Sequence, residues 1–396
     1  MSGDDRAGLP RRLAATAAAT TAAATFLLVG PVPGAAAQDD GRCAPAEQQV
    51  VDAEPWAQRR LAADRAWAVA DGNVVVGVLD TGVSAAAPAL AGAVLPGTDL
   101  AGGRADADCS GHGTFLAGLL AARPDGRSAF AGVAPGATLL PVRVVDEFNR
   151  VEPDRVAAGI TAAVDGGARV IAVGVVTTVS TPALEAAVAD AVARDVLVVA
   201  SVSVQESGQR AFPASLPGVL AVAPVGPDGP PKNGAMGAAP ALAAPAEKLV
   251  GLAPSGGGHR SASGPELAVG FVAGAAALVR DYRPQLSAAE VAQRLLATAD
   301  SPSGPLPNPL VGYGVVDPTA AVTSVFGAEE RDRAAAAVPV VVPRAPVADP
   351  LPAERALWFS GGLLLVALVL GSVVGVVALG RRRGGDSPTP AAGNSR

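Results

Sequence analysis

Residues 74–83 read VVVGVLDTGV, an apolar run that ends on an aspartate, a threonine and a glycine. A short run that is continuously apolar is typical of a strand buried on both faces, as the strands of a parallel sheet are. Ligand and catalytic sites form at the carboxyl edge of such sheets. The sequence therefore predicts a strand over Val74–Leu79 and makes Asp80, at its carboxyl end, a candidate catalytic residue.

A second motif, GHGT at residues 111–114, begins a predicted helix over His112–Ala122. A carboxylate that orients an imidazole, and the imidazole that acts as base, are two of the three groups of a Ser/His/Asp system. Asp80 and His112 supply these two residue types. Taken singly, an aspartate in a turn and a buried or capping histidine are the structural alternatives.

Short apolar runs alternate with helical patterns from about residue 55 to residue 323. The predicted strands are Val74–Leu79, Thr138–Val145, Arg169–Val176, Val196–Ala200 and Val219–Val222. The predicted helices are Trp56–Ala70, His112–Ala122, Asp154–Ala163, Pro182–Ala193, Leu267–Arg280 and Ser287–Ala299, the last with a Ser287/Glu290 capping box. This alternation predicts an α/β domain built on a doubly wound parallel sheet with right-handed crossovers.

The composition excludes several functional classes. Half of the 396 residues are hydrophobic and 17% are charged, which provides a sizeable core and rules out a disordered chain. The net charge of −6 argues against a nucleic-acid-binding face. Two cysteines and two histidines leave little for a zinc site of Cys and His ligands, and the sequence predicts no metal and no cofactor.

The first 37 residues have the pattern of a secretory signal peptide. Three arginines, Arg6, Arg11 and Arg12, precede an uncharged run over 13–37 that closes on three alanines. A basic region, an apolar region and a small-residue cleavage site define such a signal. We expect cleavage after Ala37, which leaves an N-terminal extension over 38–54. An uncleaved membrane anchor is the alternative.

A second apolar segment lies near the other end of the chain. Residues 356–380 carry no charge, and 25 residues in a helix span a ~30 Å hydrocarbon layer. Three arginines follow at once and favour a cytoplasmic tail over 381–396. Residues 324–355 contain five prolines and predict an extended linker. The sequence thus predicts a single-pass protein of the cell membrane, with its globular domain outside the cell; a buried core helix is the alternative for 356–380.

The chain resembles the subtilisin family of serine proteases. Besides Asp80 and the GHGT motif, it carries GVAPGA at residues 132–137 and FVAG at residues 271–274. The family places its Asp, His and Ser in that chain order. The resemblance covers about residues 50–323, and it implies a sheet of subtilisin type and a peptidase domain over 55–323.

Within this family the chain looks most like a mycosin, the membrane-anchored protease of actinobacterial type VII secretion systems. The shared features are the signal peptide, an N-terminal extension that wraps the protease domain, a Pro-rich linker and a C-terminal anchor. The resemblance implies a disulfide between Cys43, in the extension, and Cys109, just before the histidine motif; two free thiols are the alternative. It also implies association with the type VII secretion membrane complex.

The third motif departs from the family. Subtilisins carry their nucleophile in a Gly-Thr-Ser-x-Ala-x-Pro motif, whereas residues 263–274 read SGPELAVGFVAG. The flanking residues fit without a gap, so Glu266 occupies the position of the nucleophilic serine. Pro265 and Gly270 replace the threonine and the proline. A carboxylate cannot replace a hydroxyl that histidine activates for attack on a peptide carbonyl.

The residue that stabilises the oxyanion is also replaced. The family's apolar strand continues into Ala-Ala-Gly-Asn, whereas Val196–Val199 continues here through SVSV at residues 201–204. Val204 therefore stands at the asparagine position, and Gln205 comes one residue late. The family's substrate-binding Ser-Leu-Gly appears here as GVV, beginning at Gly174. In subtilisin, the loss of one oxyanion donor costs about 10²–10³ in rate.

These departures predict a proteolytically inactive subtilisin homologue that binds a type VII secretion membrane complex or its substrates. We expect Glu266 to lie beside His112 and to hold it as an imidazolium that bridges Asp80 and Glu266. One alternative is an active endopeptidase that uses Ser261 or Ser263, which lie on a predicted loop upstream of the nucleophile position. The other is an extracellular binding module without a role in secretion.

Overall fold

The computed structural model describes residues 43–326, apart from positions 147, 149, 232 and 233. Its strands, numbered in chain order, are β1 (Val75–Asp80), β2 (Thr98–Asp99), β3 (Thr138–Arg143), β4 (Val170–Val173), β5 (Leu197–Ser201), β6 (Ser203–Val204), β7 (Leu220–Val225), β8 (Ala235–Met236), β9 (Leu242–Pro245), β10 (Leu249–Leu252) and β11 (His259–Ala262). Its helices are α1 (Trp56–Leu61), α2 (His112–Ala121), α3 (Pro153–Asp165), α4 (Pro182–Ala193), α5 (Ala268–Tyr282), α6 (Ala288–Ala297) and α7 (Pro318–Thr323).

Seven strands form one parallel sheet in the order β2-β3-β1-β4-β5-β7-β9. β1 lies inside this sheet, where Val76 pairs with Leu139 of β3 on one side and with Val170 of β4 on the other. A strand with neighbours on both sides and helices on both faces is expected to be apolar throughout, as residues 74–79 are. The predicted α/β fold with a parallel sheet is confirmed.

The two faces of the sheet carry separate cores. Val76 and Val78 of β1 belong to the core that α2 and α5 cover, whereas Leu79 belongs to the core that α3 and α4 cover. This division follows from the alternation of side chains along a strand. Helices on both faces are what the alternating sequence pattern predicts.

The first predicted helix, Trp56–Ala70, is divided in two. α1 ends at Leu61, and a 3-10 turn covers Ala63–Ala66. Between them Ala62 has a left-handed backbone with φ of 44°. This conformation costs an L-residue about 1–2 kcal/mol, so it is imposed by tertiary packing and is not visible in helix propensity.

The capping box that the sequence predicts at the start of α6 is confirmed. The hydroxyl of Ser287 accepts the amide N–H of Glu290 at 3.3 Å, and the Glu290 carboxylate accepts the amide N–H of Ser287 at 2.8 Å. Both bonds satisfy amides that the helix itself leaves without acceptors.

The N-terminal extension lies against β11 and against the loop that precedes it. Cys43 and Cys109 form the disulfide that the mycosin resemblance implies. The amide N–H of Glu47 donates to the carbonyl of Ser255 at 3.1 Å, and the amide N–H of Gly258 donates to the carbonyl of Glu47 at 2.8 Å. The extension is therefore held by a covalent bond at one end and by main-chain hydrogen bonds beyond it.

Among the helices of residues 43–326, none is both long and apolar enough to cross a bilayer. The predicted signal peptide (1–37), membrane helix (356–380) and cytoplasmic tail (381–396), and the linker from residue 327 onward, lie outside the described residues.

Candidate active site

Asp80 and His112 meet at the carboxyl edge of the sheet. Asp80 is the last residue of β1 and is fully buried, and His112 is the first residue of α2. Nδ1 of His112 lies 2.8 Å from Oδ1 and 2.9 Å from Oδ2 of Asp80. The amide N–H of Thr81 donates to Oδ1 at 2.7 Å. The structure thus brings together the two residues that the sequence selects, in the arrangement that orients an imidazole.

Two glycines allow α2 to approach the end of β1 so closely. A Cβ atom at Gly113 would lie 2.1 Å from the carbonyl oxygen of Gly82, and one at Gly174 would lie 1.9 Å from Oδ2 of Asp80. Both distances are far below van der Waals contact, so a larger residue would displace the Gly82 backbone at position 113 and the Asp80 carboxylate at position 174. Gly174, which stands at the first position of the family's Ser-Leu-Gly motif, here provides the space that the Asp80 carboxylate fills.

Asp108 is a site residue that the sequence reasoning missed. Its buried carboxylate accepts the amide N–H groups of Gly111 and Thr114, both at 2.8 Å, and the hydroxyl of Thr114 at 2.7 Å. It also accepts the hydroxyl of Thr81 at 2.9 Å. Asp108 therefore caps the first turn of α2 and ties it to the residue that follows Asp80. The only signal in the sequence is an acidic residue four positions before His112.

The electrostatic surroundings of His112 favour the imidazolium. The charge of Asp80 is the largest cause that raises the pKa of His112, to about 9, against the opposing effect of burial. The hydrogen bond to Asp80 and the charges of Glu266 and Asp108 raise this pKa further. A protonated ring carries a proton on both nitrogens, so it has no lone pair with which to accept a proton from a nucleophile.

Glu266 lies in a 3-10 turn over Pro265–Leu267, immediately before α5. Burial raises the pKa of its carboxyl, and the charge of His112 opposes this effect. Within the described part of the chain, His112 forms its ion pair with Asp80 and comes within 4.0 Å of no oxygen of Glu266. The expected bridge between two carboxylates is therefore wrong. Both of the ring's carboxylate contacts go to Asp80 through Nδ1, and Glu266 acts on the ring only through its charge.

Val204, which the sequence resemblance assigns to the oxyanion position, is the second residue of β6. β6 pairs with β8, where Val204 lies opposite Ala235, and its side chain packs against the apolar core that also contains Phe212. A valine side chain offers no hydrogen-bond donor, and here it serves packing.

The two serines of the alternative, Ser261 and Ser263, have other partners in the structure. Ser261 lies in β11 opposite Val250 and lines a groove beside the extension, so the predicted loop is a strand at this point. The hydroxyl of Ser263 accepts the amide N–H of Lys248 at 2.9 Å. Among the described residues, neither hydroxyl hydrogen-bonds to His112.

The same part of the chain, residues 43–326 with its four gaps, contains no group of three or more His, Cys, Asp or Glu side chains that could hold a metal ion.

A parallel α/β sheet that sets a strand-end aspartate against a helix-start histidine defines the class of subtilisin-like proteins. The model of the subtilase family, Peptidase_S8, matches residues 71–314, and the chain belongs to this family. Its similarity to the relatives described next places it in the mycosin branch.

Mycosin-3 of Mycobacterium tuberculosis is 32% identical, over 89% of this chain and 93% of the relative. Thermitase of Thermoactinomyces vulgaris is 32% identical, over 62% of this chain and 88% of the relative. Among solved structures, the serine protease MycP1, an essential component of the type VII (ESX-1) secretion system, superposes with a TM-score of 0.63 at 30% identity, over 71% of this chain and 92% of that chain.

Proposed function

We propose that this protein is a proteolytically inactive mycosin that is anchored in the cell membrane and acts by binding within a type VII secretion system. The observation that carries the proposal is the identity of the middle residue of the turn before α5. Where a subtilisin needs a serine hydroxyl, this chain has Glu266, whose carboxylate cannot form the acyl intermediate of that mechanism.

The charge of Glu266 supports the same conclusion. Beside Asp80, which an active triad also has, Glu266 is a further cause that raises the pKa of His112 and favours the protonated ring. In an active triad the base is neutral in the resting enzyme and becomes charged only during the reaction. The apolar side chain of Val204 removes, in addition, the amide that would bind the oxyanion.

Association with secretion rests on the relatives. MycP1 is an essential component of its type VII system, and this chain is similar to it over most of the MycP1 chain. A binding role needs the folded domain and the membrane anchor but not the nucleophile. The two features that the sequence predicts outside the described residues, a signal peptide and a membrane helix, are those that such a component requires.

Proteolytic inactivity is tested with the full chain purified in detergent. We expect no labelling by a fluorophosphonate probe and no cleavage of a mixed peptide library. A mycosin with its serine nucleophile is the positive control. Any cleavage that persists in His112→Ala comes from a contaminating protease. Cleavage that disappears in His112→Ala would establish the alternative, an active endopeptidase.

Association is tested by affinity purification of the tagged chain from its native membrane in mild detergent. We expect type VII membrane components to be enriched over an unrelated single-pass protein that carries the same tag. A variant that ends at residue 355 separates binding by the domain from binding by the membrane helix. Failure to recover any such component would favour the third reading, a binding module without a role in secretion.

A further inference from the structure

His259, the first residue of β11, holds the middle of the N-terminal extension. Its amide N–H donates to the carbonyl of Gln49 at 2.8 Å. Its ring nitrogen Nδ1 lies 3.1 Å from the amide nitrogen of Val51. The ring packs against Phe130, with 4.9 Å between the ring centroids. This histidine is separate from the Asp80–His112 pair, and the proposed function makes no use of it.

The contact with Val51 exists in only one protonation state of the ring. A backbone N–H can only donate, so Nδ1 of His259 must accept, and the neutral ring then carries its proton on Nε2. Protonation of Nδ1 would set two N–H groups against each other. The hydrogen bond would be lost, and the amide of Val51 would have to find another acceptor.

We propose that His259 is a pH-sensitive latch, which adds a hydrogen bond between the extension and β11 while the ring is neutral and loses it, so that the extension is held less tightly there, when the ring is protonated. The latch does not depend on whether the chain cleaves peptides or binds a secretion complex.

The charged groups around the ring come from three parts of the chain. Asp125 and Arg127, which pair with each other at 2.9 Å, act in opposite directions, because Asp125 favours the protonated ring and Arg127 opposes it. Glu47 of the extension and Arg260 of β11 line the groove beside His259. Burial is the largest influence and lowers the pKa of His259 below its ordinary value of 6.5.

The direction of the switch follows from this lowered pKa. The neutral ring stabilises the docked extension fully above about pH 6.5, and the stabilisation is lost as the pH falls through the lower pKa of the docked state. The disulfide at Cys43 and the start of α1 at Trp56 hold the two ends of the segment. Acid therefore weakens the attachment of the segment around Val51, while the main-chain bonds of Glu47 and Gln49 and both ends of the segment remain.

Hydrogen exchange with mass spectrometry tests the latch on the full chain in detergent. Protection of the amides over 47–52 is measured between pH 8 and pH 4.5, with labelling times scaled for the intrinsic dependence of exchange on pH. We expect protection to fall about three- to tenfold through the acid titration, the loss that one ordinary hydrogen bond implies. Peptides from α3 are the internal reference and should keep their protection.

Two variants separate His259 from the carboxylates that also titrate in acid. His259→Asn retains an acceptor near the position of Nδ1 and cannot gain a proton there, so its extension should stay protected at both ends of the pH range. His259→Leu has no acceptor and should show the lower protection throughout. The proposal is wrong if wild-type protection is flat across this range, or if His259→Asn keeps the wild-type pH dependence.

Discussion

At the scale of single residues, the proposed inactivity rests on Glu266 and Val204. Glu266→Ser restores a hydroxyl but no oxyanion donor, so we expect the single variant to remain at least about 10²-fold slower than the double variant with Val204→Asn. The nucleophile and the oxyanion donor act as a unit, so their effects should not add. The measurement is the rate of fluorophosphonate labelling at position 266, with Val204→Asn alone as the matched control. Equal labelling of the single and double variants would contradict this prediction.

His112 offers a second test at the same scale. We expect its ring to titrate at about pH 9 in the wild type, and the pKa to fall more in Asp80→Asn than in Glu266→Gln, because Asp80 is the largest cause of the shift. The chain has two histidines, so NMR of a tag-free His259→Asn background shows His112 alone. A wild-type pKa near 6.5 would contradict this prediction.

The sign of the dependence of stability on pH follows from the same shift. The pKa of His112 is higher in the folded chain than its ordinary value of 6.5, so protonation favours the folded state. This contribution is complete below about pH 6.5 and is lost as the pH rises through about 9. Denaturation by urea at a series of pH values, compared between the wild type and His112→Gln, isolates it.

At the scale of elements, Asp108 fixes the start of α2 relative to β1. Asp108→Ala leaves the amides of Gly111 and Thr114 and two hydroxyls without their acceptor, so we expect the free energy of unfolding to fall by more than about 2 kcal/mol. Asp106→Ala is the matched control, because Asp106 pairs only with the exposed Arg104 and should change stability little. Similar losses in the two variants, measured by urea denaturation, would refute the capping role.

The sequence predicts an element when the hydrophobic pattern of that element's own residues is enough to identify it. β1 is predicted because a strand buried on both faces is apolar at every position. β2, β6 and β8 have two residues each, too few to show a hydrophobic period. β11 has the mixed sequence HRSA, which shows no apolar pattern, and it lies beside the extension. The contacts of Asp108, and the failure of Glu266 to contact His112, are set by backbone positions that come together only in the folded chain.

At the scale of the whole molecule, the disulfide joins the extension to the domain across a separation of 66 residues. In the loop-entropy model a closure of this length contributes about 4 kcal/mol at most. We expect a reductant to lower the free energy of unfolding of the wild type by up to this amount and to leave the double variant Cys43→Ser with Cys109→Ser unchanged. Two free thiols in the exported protein, found by mass spectrometry, would show that the bond does not form.

The orientation in the membrane stays a prediction of the sequence. Residues 356–380 and the three arginines that follow predict an external domain and an internal tail. Protease treatment of intact cells should therefore remove epitopes within 38–355 and spare one at the C-terminus. Lysed cells are the control in which both are cut. Protection of the whole domain in intact cells would reverse the orientation.

The burial of Asp80 has a consequence for the history of such a site. The carboxylate is fully buried and its two oxygens face one imidazole, so replacing His112 alone would leave a buried charge without its partner. The His112 side chain is 36% exposed, so water can solvate it when Asp80 is the residue replaced. In the proposed inactive chain, the nucleophile could therefore change in one substitution, whereas loss of the histidine first would destabilise the fold. An aspartate and a histidine that persist after hydrolysis is lost are the expected outcome.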